Sequence, residues 1–159
     1  MTDLQIGDIA PDFTLPTDGN GEITLSALRG QKVVLYFYPK DNTPGCTTES
    51  CDFRDHKESF NNLNAQIIGI SKDSVKKHDN FKAKYNLNFP LASDESGNVC
   101  ETYGVWKEKS MYGKKFWGIE RTTFLINESG KIAHIWHKVK VKDHVEDVKS
   151  QIQNLAKAA

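Results

Sequence analysis

Two cysteines five residues apart, Cys46 and Cys51, follow the most heavily punctuated stretch of the chain, Pro39-Lys40-Asp41-Asn42-Thr43-Pro44-Gly45. A thiol does chemistry as its thiolate, so the question is what this stretch does to sulfur. It joins an apolar run to a helix-like segment, the junction where α/β proteins place ligand sites. Thr43 is a good N-cap, and Pro44 suits a first helical position, where its missing N–H costs nothing. Cys46 then falls in the first helical turn, beside free backbone N–H groups and the positive end of the helix dipole. Such a position favours the thiolate. Gly45 removes a side chain next door and lets a small substrate approach. The alternative is a buried structural cysteine.

On an intact helix, five residues place Cys46 and Cys51 on Cα atoms ~8–9 Å apart. That exceeds the ~7 Å limit for a disulfide. Pairing therefore requires local unwinding, which favours a mechanism with two conformations over a static cross-link. Cys-x4-Cys without a second pair is a poor zinc pattern. His134 and His137 lie on a predicted strand with side chains on opposite faces, which speaks against a metal site there. The spacing also differs from the Cys-x-x-Cys of dithiol reductases.

The elements that must position this segment are legible from periodicity. Val33-Val34-Leu35-Tyr36-Phe37-Tyr38 reads as a strand buried on both faces and stopped by Pro39. Ile67 to Ile70 and Thr122 to Ile126 read likewise. Glu128-Ser129-Gly130 is a turn into a hairpin strand, Ile132 to Trp136. Pro44 to about Leu63 reads as one helix, with Cys46, Phe53 and Phe60 on one face. Val75 to Tyr85 follows a Ser74 cap, and Val145, Val148, Ile152 and Leu155 mark a closing helix. Asp143 with Glu146 gives that helix a capping-box-like start. Lys138 to Lys142 reads as a solvated strand edge, with a docking surface for an acidic partner as the sharper reading. Phe116-Trp117-Gly118 and Tyr112-Gly113 read as an aromatic loop ahead of Arg121. The order predicts an α/β protein with a central mixed sheet and helices on both faces, compatible with a thioredoxin-like fold.

The 159 residues, with no repeat, low-complexity tract or linker, predict one domain spanning 1–159. Basic and acidic residues balance at 21 each, so no charge excess draws the chain to nucleic acid or anionic lipid. No apolar run reaches the ~18 residues of a membrane span. Met1-Thr2-Asp3-Leu4-Gln5 lacks the pattern of a secretory signal, so the cytoplasm is the expected compartment. Zero net charge and the lack of a coiled-coil pattern predict a monomer or weak homodimer. Only Arg29, Arg54 and Arg121 interrupt a lysine-dominated basic set, which raises the interest of each.

Pro39-x-x-x-Thr43-x-x-Cys46 resembles the active-site motif of the peroxiredoxins. The string from Phe37 to Cys51, with Gly45, Thr47 and Glu49 in place, is similar to their bacterioferritin comigratory (Q-type) branch. Gly7-Asp8-x-Ala10-Pro11-Asp12-Phe13, Ser93-Asp94, Tyr103-Gly104-Val105 and Arg121-Thr122-Thr123-Phe124 resemble it as well. The likeness runs from about Ile6 to Trp136. It implies a thioredoxin-fold, thiol-dependent peroxidase that reduces hydrogen peroxide and organic hydroperoxides with no metal or organic cofactor.

By the same resemblance Cys46 is the peroxidatic cysteine, Thr43 hydrogen-bonds thiolate and peroxide, and Arg121 stabilises negative charge. Pro39 shields the pocket, although a strand terminator would look the same. Glu49 orients Arg121, or is a solvated helix charge. Cys51 resolves the Cys46 sulfenic acid as a disulfide, which thioredoxin or a similar dithiol donor reduces. Cys100 matches no family role and reads as a semi-buried free thiol. The rival class is a non-catalytic redox-sensing or holdase module on the same fold.

Overall fold

A computed structural model describes residues 4–158. The first elements along the chain are β1 (Thr14–Thr17), β2 (Gly21–Thr24), β3 (Lys32–Phe37), α1 (Pro44–Asp55), α2 (Lys57–Asn62), β4 (Ala65–Ser71) and α3 (Val75–Tyr85). They are followed by β5 (Leu91–Ser93), α4 (Asn98–Thr102), β6 (Trp106–Met111), β7 (Lys114–Ile119), β8 (Thr122–Ile126), β9 (Ile132–Trp136) and α5 (His144–Ala158). Seven strands form one mixed sheet in the order β2-β1-β5-β4-β3-β8-β9, and β6 with β7 forms a separate hairpin. β3, β4 and β5 are parallel, while β8 pairs antiparallel with β3 and with β9.

The apolar run of β3 is buried at every position, as its lack of alternation predicts. Val33, Leu35 and Phe37 face one core with Ile68, Phe124 and Tyr103. Val34, Tyr36 and Tyr38 face the other, which α1, α2, α3 and α5 cover with Phe53, Phe60, Phe81 and Val148. Helices therefore lie on both faces, but unequally. Successive right-handed crossovers from β3 to β4 to β5 advance in one direction, so both place their helices on the same side. The chain returns to β8 across the opposite side, where α4 packs through Cys100.

Four expectations need correction. The helix predicted over Pro44 to Leu63 breaks at His56, whose ring donates to the Asp52 carbonyl and reaches Glu146 on α5, so its side chain competes with the helix ladder. The segment 112–118 is not a loop but the turn and second strand of the β6–β7 hairpin, with Tyr112 and Gly113 both at positive φ as a type I′ turn requires. Lys138 to Lys142 is not a strand: Lys138 is left-handed at φ 47°, and the Val139 amide donates to the Arg121 carbonyl. Asp143, also left-handed at φ 62°, forms no capping box, because Glu146 turns to His56 and Lys149 instead. The Ser74 cap does form, its hydroxyl accepting from the Lys77 amide at 3.2 Å.

Candidate active site

The site begins where β3 ends. Thr43 precedes α1 and Pro44 occupies its first turn, which places Cys46 in that turn, 1% exposed. The helix is fixed to the sheet below Cys46. Tyr36 stacks on Phe53 at 4.7 Å between centroids, and its hydroxyl shares a 2.8 Å hydrogen bond with Ser50.

Arg121 arrives from the far end of the sequence through strand register. Phe37 at the end of β3 pairs with Thr122 at the start of β8. Arg121 therefore emerges beside the loop that leads into α1, with its carbonyl held by the Val139 amide. Its Nη2 donates to Cys46 Sγ at 3.3 Å and its Nη1 to Glu49 Oε1 at 2.7 Å. One planar guanidinium thus ties two positions on successive turns of α1. Gly45 makes room for it: a Cβ there would lie 3.1 Å from Nη2.

Glu49 is fully buried and its Oε2 has no hydrogen-bond partner among the described residues. Burial pushes its carboxyl up from 4.5 to about 7, outweighing the pull of Arg121, and nearby Asp52 adds to the rise. Burial disfavours the Arg121 charge, but Glu49 and then Cys46 more than restore it, leaving its pKa raised. The reading of Glu49 as a solvated helix charge is thus wrong for this fold: the side chain faces inward and grips Arg121.

The other expected residues distribute differently. The Thr43 hydroxyl donates to the Lys40 carbonyl at 2.9 Å, so its hydrogen is committed and its lone pairs are what it can offer a ligand. It neither caps α1 nor hydrogen-bonds Cys46. Pro39 is exposed at the strand end. Cys51 is a free, half-buried thiol on the same uninterrupted helix as Cys46, pushed up chiefly by burial. Cys100 is buried in the core on the opposite face of the sheet from Cys46, and burial followed by the charge of Asp94 raises it far above an ordinary thiol.

Two features escaped the sequence reading. Lys109 on the hairpin is depressed by burial and then by the charge of Arg121, so it flanks the site. Its only signal was the lysine-rich sequence around it. Asp41 joins Asp73 and His78 in a buried cluster behind the loop, and the motif string contained Asp41 without indicating its partners.

Comparison with known proteins agrees with this geometry. The model of the AhpC/TSA family matches residues 6–135. The chain belongs to this family. It is 55% identical to the putative peroxiredoxin bcp of Coxiella burnetii, covering 91% of this chain and 96% of that one. It is 50% identical to peroxiredoxin Bcp of Bacillus subtilis, covering 96% and 98%. Among solved structures, a PrxQ mutant from Xylella fastidiosa superposes with a TM-score of 0.92 at 42% identity, covering 98% of this chain and 99% of that one. The bacterioferritin comigratory protein of Xanthomonas campestris follows at 0.89 and 44%, covering 96% and 98%. The fold is thus the thioredoxin-like fold of the peroxiredoxins, and the chain is a peroxiredoxin of the bacterioferritin comigratory (Q-type) branch.

Proposed function

We propose that this peroxiredoxin uses Cys46 as its peroxidatic sulfur, Arg121 as the charge-stabilising donor, Glu49 as the residue that orients Arg121, and Cys51 as the resolving thiol. The observation that carries the reading is the buried sulfur 3.3 Å from a guanidinium that a buried carboxyl holds in place. That arrangement suits negative charge, first on sulfur and then on the departing oxygen.

The Cys46 thiolate attacks the terminal oxygen of a hydroperoxide. The S–O bond forms as the O–O bond breaks, and the leaving alkoxide or hydroxide takes a proton to become alcohol or water. Sulfur is oxidised to the sulfenic acid and the peroxide reduced by two electrons. Arg121 N–H groups aim at the developing charge. The Thr43 oxygen, its own hydrogen donated to Lys40, accepts from the peroxide O–H. Gly45 leaves the approach open, and exposed Pro39 borders it. The Cys51 sulfur then attacks the sulfenic sulfur, water departs, and the Cys46–Cys51 disulfide forms. The helical spacing of ~8–9 Å requires the first turns of α1 to unwind for this step. A thioredoxin-like dithiol returns two electrons by exchange.

The Xanthomonas campestris relative has structures concerned with alkyl peroxide reduction, which supports organic hydroperoxides as substrates beside hydrogen peroxide. Three cysteines, too few and too odd in number for a secreted disulfide framework, suit a reducing compartment such as the cytoplasm. Mass spectrometry after one equivalent of hydrogen peroxide tests the assignment. Wild type should carry one Cys46–Cys51 disulfide, Cys51→Ser a sulfenic or over-oxidised Cys46, and Cys46→Ser no rapid oxidation. Equal peroxide removal by wild type and Cys46→Ser would refute it. Stoichiometric oxidation without turnover in the presence of dithiols would favour the redox-sensing module instead.

A further inference from the structure

Behind the loop that leads into α1 lies a buried polar cluster that the peroxidase chemistry above leaves without a role. His78 on α3 is fully buried, and Asp41 and Asp73 are each 8% exposed. Asp41 Oδ1 accepts from the Tyr38 hydroxyl at 2.5 Å, and its Oδ2 accepts from His78 Nδ1 at 2.6 Å. His78 Nε2 donates to the Ala92 carbonyl on β5 at 3.0 Å. Asp73 Oδ2 accepts from the Asp41 amide at 2.7 Å and from the Ser71 hydroxyl at 2.8 Å.

A backbone carbonyl only accepts, and so does a carboxylate oxygen. With Asp41 as a carboxylate, His78 faces one of each, so both its ring nitrogens carry hydrogen and the ring is an imidazolium paired with Asp41. Burial opposes that charge. The bond to Asp41 and its charge, the Ala92 carbonyl and Asp73 overcome it, and His78 is raised above an ordinary histidine. The groups around the ring are Tyr38 from the end of β3, Asp41 from the loop, Asp73 ahead of α3, and the Ala92 carbonyl from β5. Lys40, Lys77 and Lys84 line the cleft over Asp41 and Asp73.

The cluster reaches the catalytic turn through one peptide plane. The Asp41 amide donates to Asp73, and the carbonyl of the same peptide unit, that of Lys40, accepts the Thr43 hydroxyl. Because the peptide is planar, fixing the N–H fixes the direction of the C=O. The following residue, Asn42, is left-handed at φ 61°, a conformation that surrounding structure must hold. Its Oδ1 accepts from the Tyr85 hydroxyl at 3.1 Å and Lys84 Nζ at 3.3 Å, both also on α3.

We propose that the Asp41–His78 pair is a positioning clamp for the peroxidatic site: it ties the 38–43 loop to α3 and β5 and thereby sets Thr43 and the first turn of α1, with Cys46, against Arg121. This rests on the peroxidase reading for its kinetic consequence, but not for its structural one. Asp41 and His78 touch no reacting atom and act through Thr43 and Cys46.

The test compares Asp41→Ala with Asp41→Asn. The alanine variant removes the side-chain ties to Tyr38 and His78 and leaves only the Asp41 amide on Asp73 to hold the loop to the cluster. The asparagine variant rebuilds it without charge: its amide oxygen accepts from Tyr38, and its NH2 donates to Nδ1 of a neutral His78 whose Nε2–H still meets Ala92. In quenched-flow mass spectrometry, Cys46 oxidation by hydrogen peroxide should slow about 10- to 100-fold in Asp41→Ala and stay within about threefold of wild type in Asp41→Asn. Backbone amide resonances of residues 43, 45 and 46 should shift in Asp41→Ala and return in Asp41→Asn, a readout independent of peroxide. Nitrogen NMR of wild type at pH 7 should find both His78 ring nitrogens protonated, which also tests the pair should Asp41→Ala not fold. A singly protonated His78 would overturn the charge assigned to the pair, and unchanged rates and amide shifts in Asp41→Ala, or equal damage in both variants, would overturn the clamp. Slow peroxide reaction in wild type, with the NMR pattern as expected, would instead overturn the peroxidase reading alone.

Discussion

Replacing Glu49 by glutamine keeps the shape of the side chain and removes its ionisation. The folded protein holds this carboxyl at about 7, against 4.5 for a solvated glutamate, because burial outweighs the guanidinium that grips one of its oxygens. The other oxygen, with no partner among the described residues, is the one free to take the proton. Between about pH 4.5 and 7 the folded chain therefore keeps a proton that the unfolded chain has released. Stability is highest below the unfolded value and falls as pH rises through the folded one, levelling off above it. A rise of this size corresponds to about 3 kcal/mol. His78, whose raised value protects stability below about 6.5 and forfeits it at higher pH, adds a fall in the same direction, but does so in both proteins. The difference between wild type and Glu49→Gln isolates the one carboxyl. Urea unfolding of the reduced proteins at intervals from pH 5 to 8 measures it. Wild type should lose about 2.5 kcal/mol more than the variant across that range, with equal denaturant slopes. The absolute stability of the variant also reflects the weakened contact to Arg121, so only the pH-dependent part is diagnostic. Parallel stability curves would refute the argument, since they would mean that Glu49 is ionised in the fold at the same pH as in the unfolded chain.

Two glycine substitutions separate the site from the core. Gly45→Ala puts a methyl group 3.1 Å from Arg121 Nη2, the mobile end of a side chain, so the guanidinium yields and the helix does not. Cys46 oxidation by peroxide should slow about tenfold while urea stability changes by less than about 1 kcal/mol; an unchanged rate would sink the claim that the Arg121–Cys46 contact matters. Gly69→Ala drives a Cβ to 2.8 Å from the Tyr36 ring and 3.0 Å from Leu91, in packed core with no mobile end to give way. It should destabilise the fold by about 1–3 kcal/mol, and a urea midpoint equal to that of wild type would contradict the packing described.

The strongest local signals carried over directly. The β3 run, the Ser74 cap and the α3 span depend on neighbours within a few residues, and each forms as read. The Pro44 start of α1 and the apolar face of α5 are local in the same way. The break at His56 was hidden because it depends on Glu146, 90 residues away. The β6–β7 hairpin was missed because its strands are largely solvated and carry no apolar alternation, which is the signal that marks a half-buried strand. Lysine alternation at 138–142 imitated such a strand, but the segment is shaped by its anchor to the Arg121 carbonyl.

For the site, the residues themselves were enough to find a thiol at a helix start, a second thiol that cannot reach it on an intact helix, and the motif that resembles the peroxiredoxins. Those are matters of composition and short spacing, which the chain carries wherever it folds. The meeting of Cys46 with an arginine 75 residues away follows from the antiparallel register of β3 and β8. The raised Glu49 carboxyl follows from complete burial, and the His78 charge from acceptors supplied by a loop and a strand. Pairing partners and desolvation arise only when distant segments pack, so the tertiary structure alone decided how the sulfur is held.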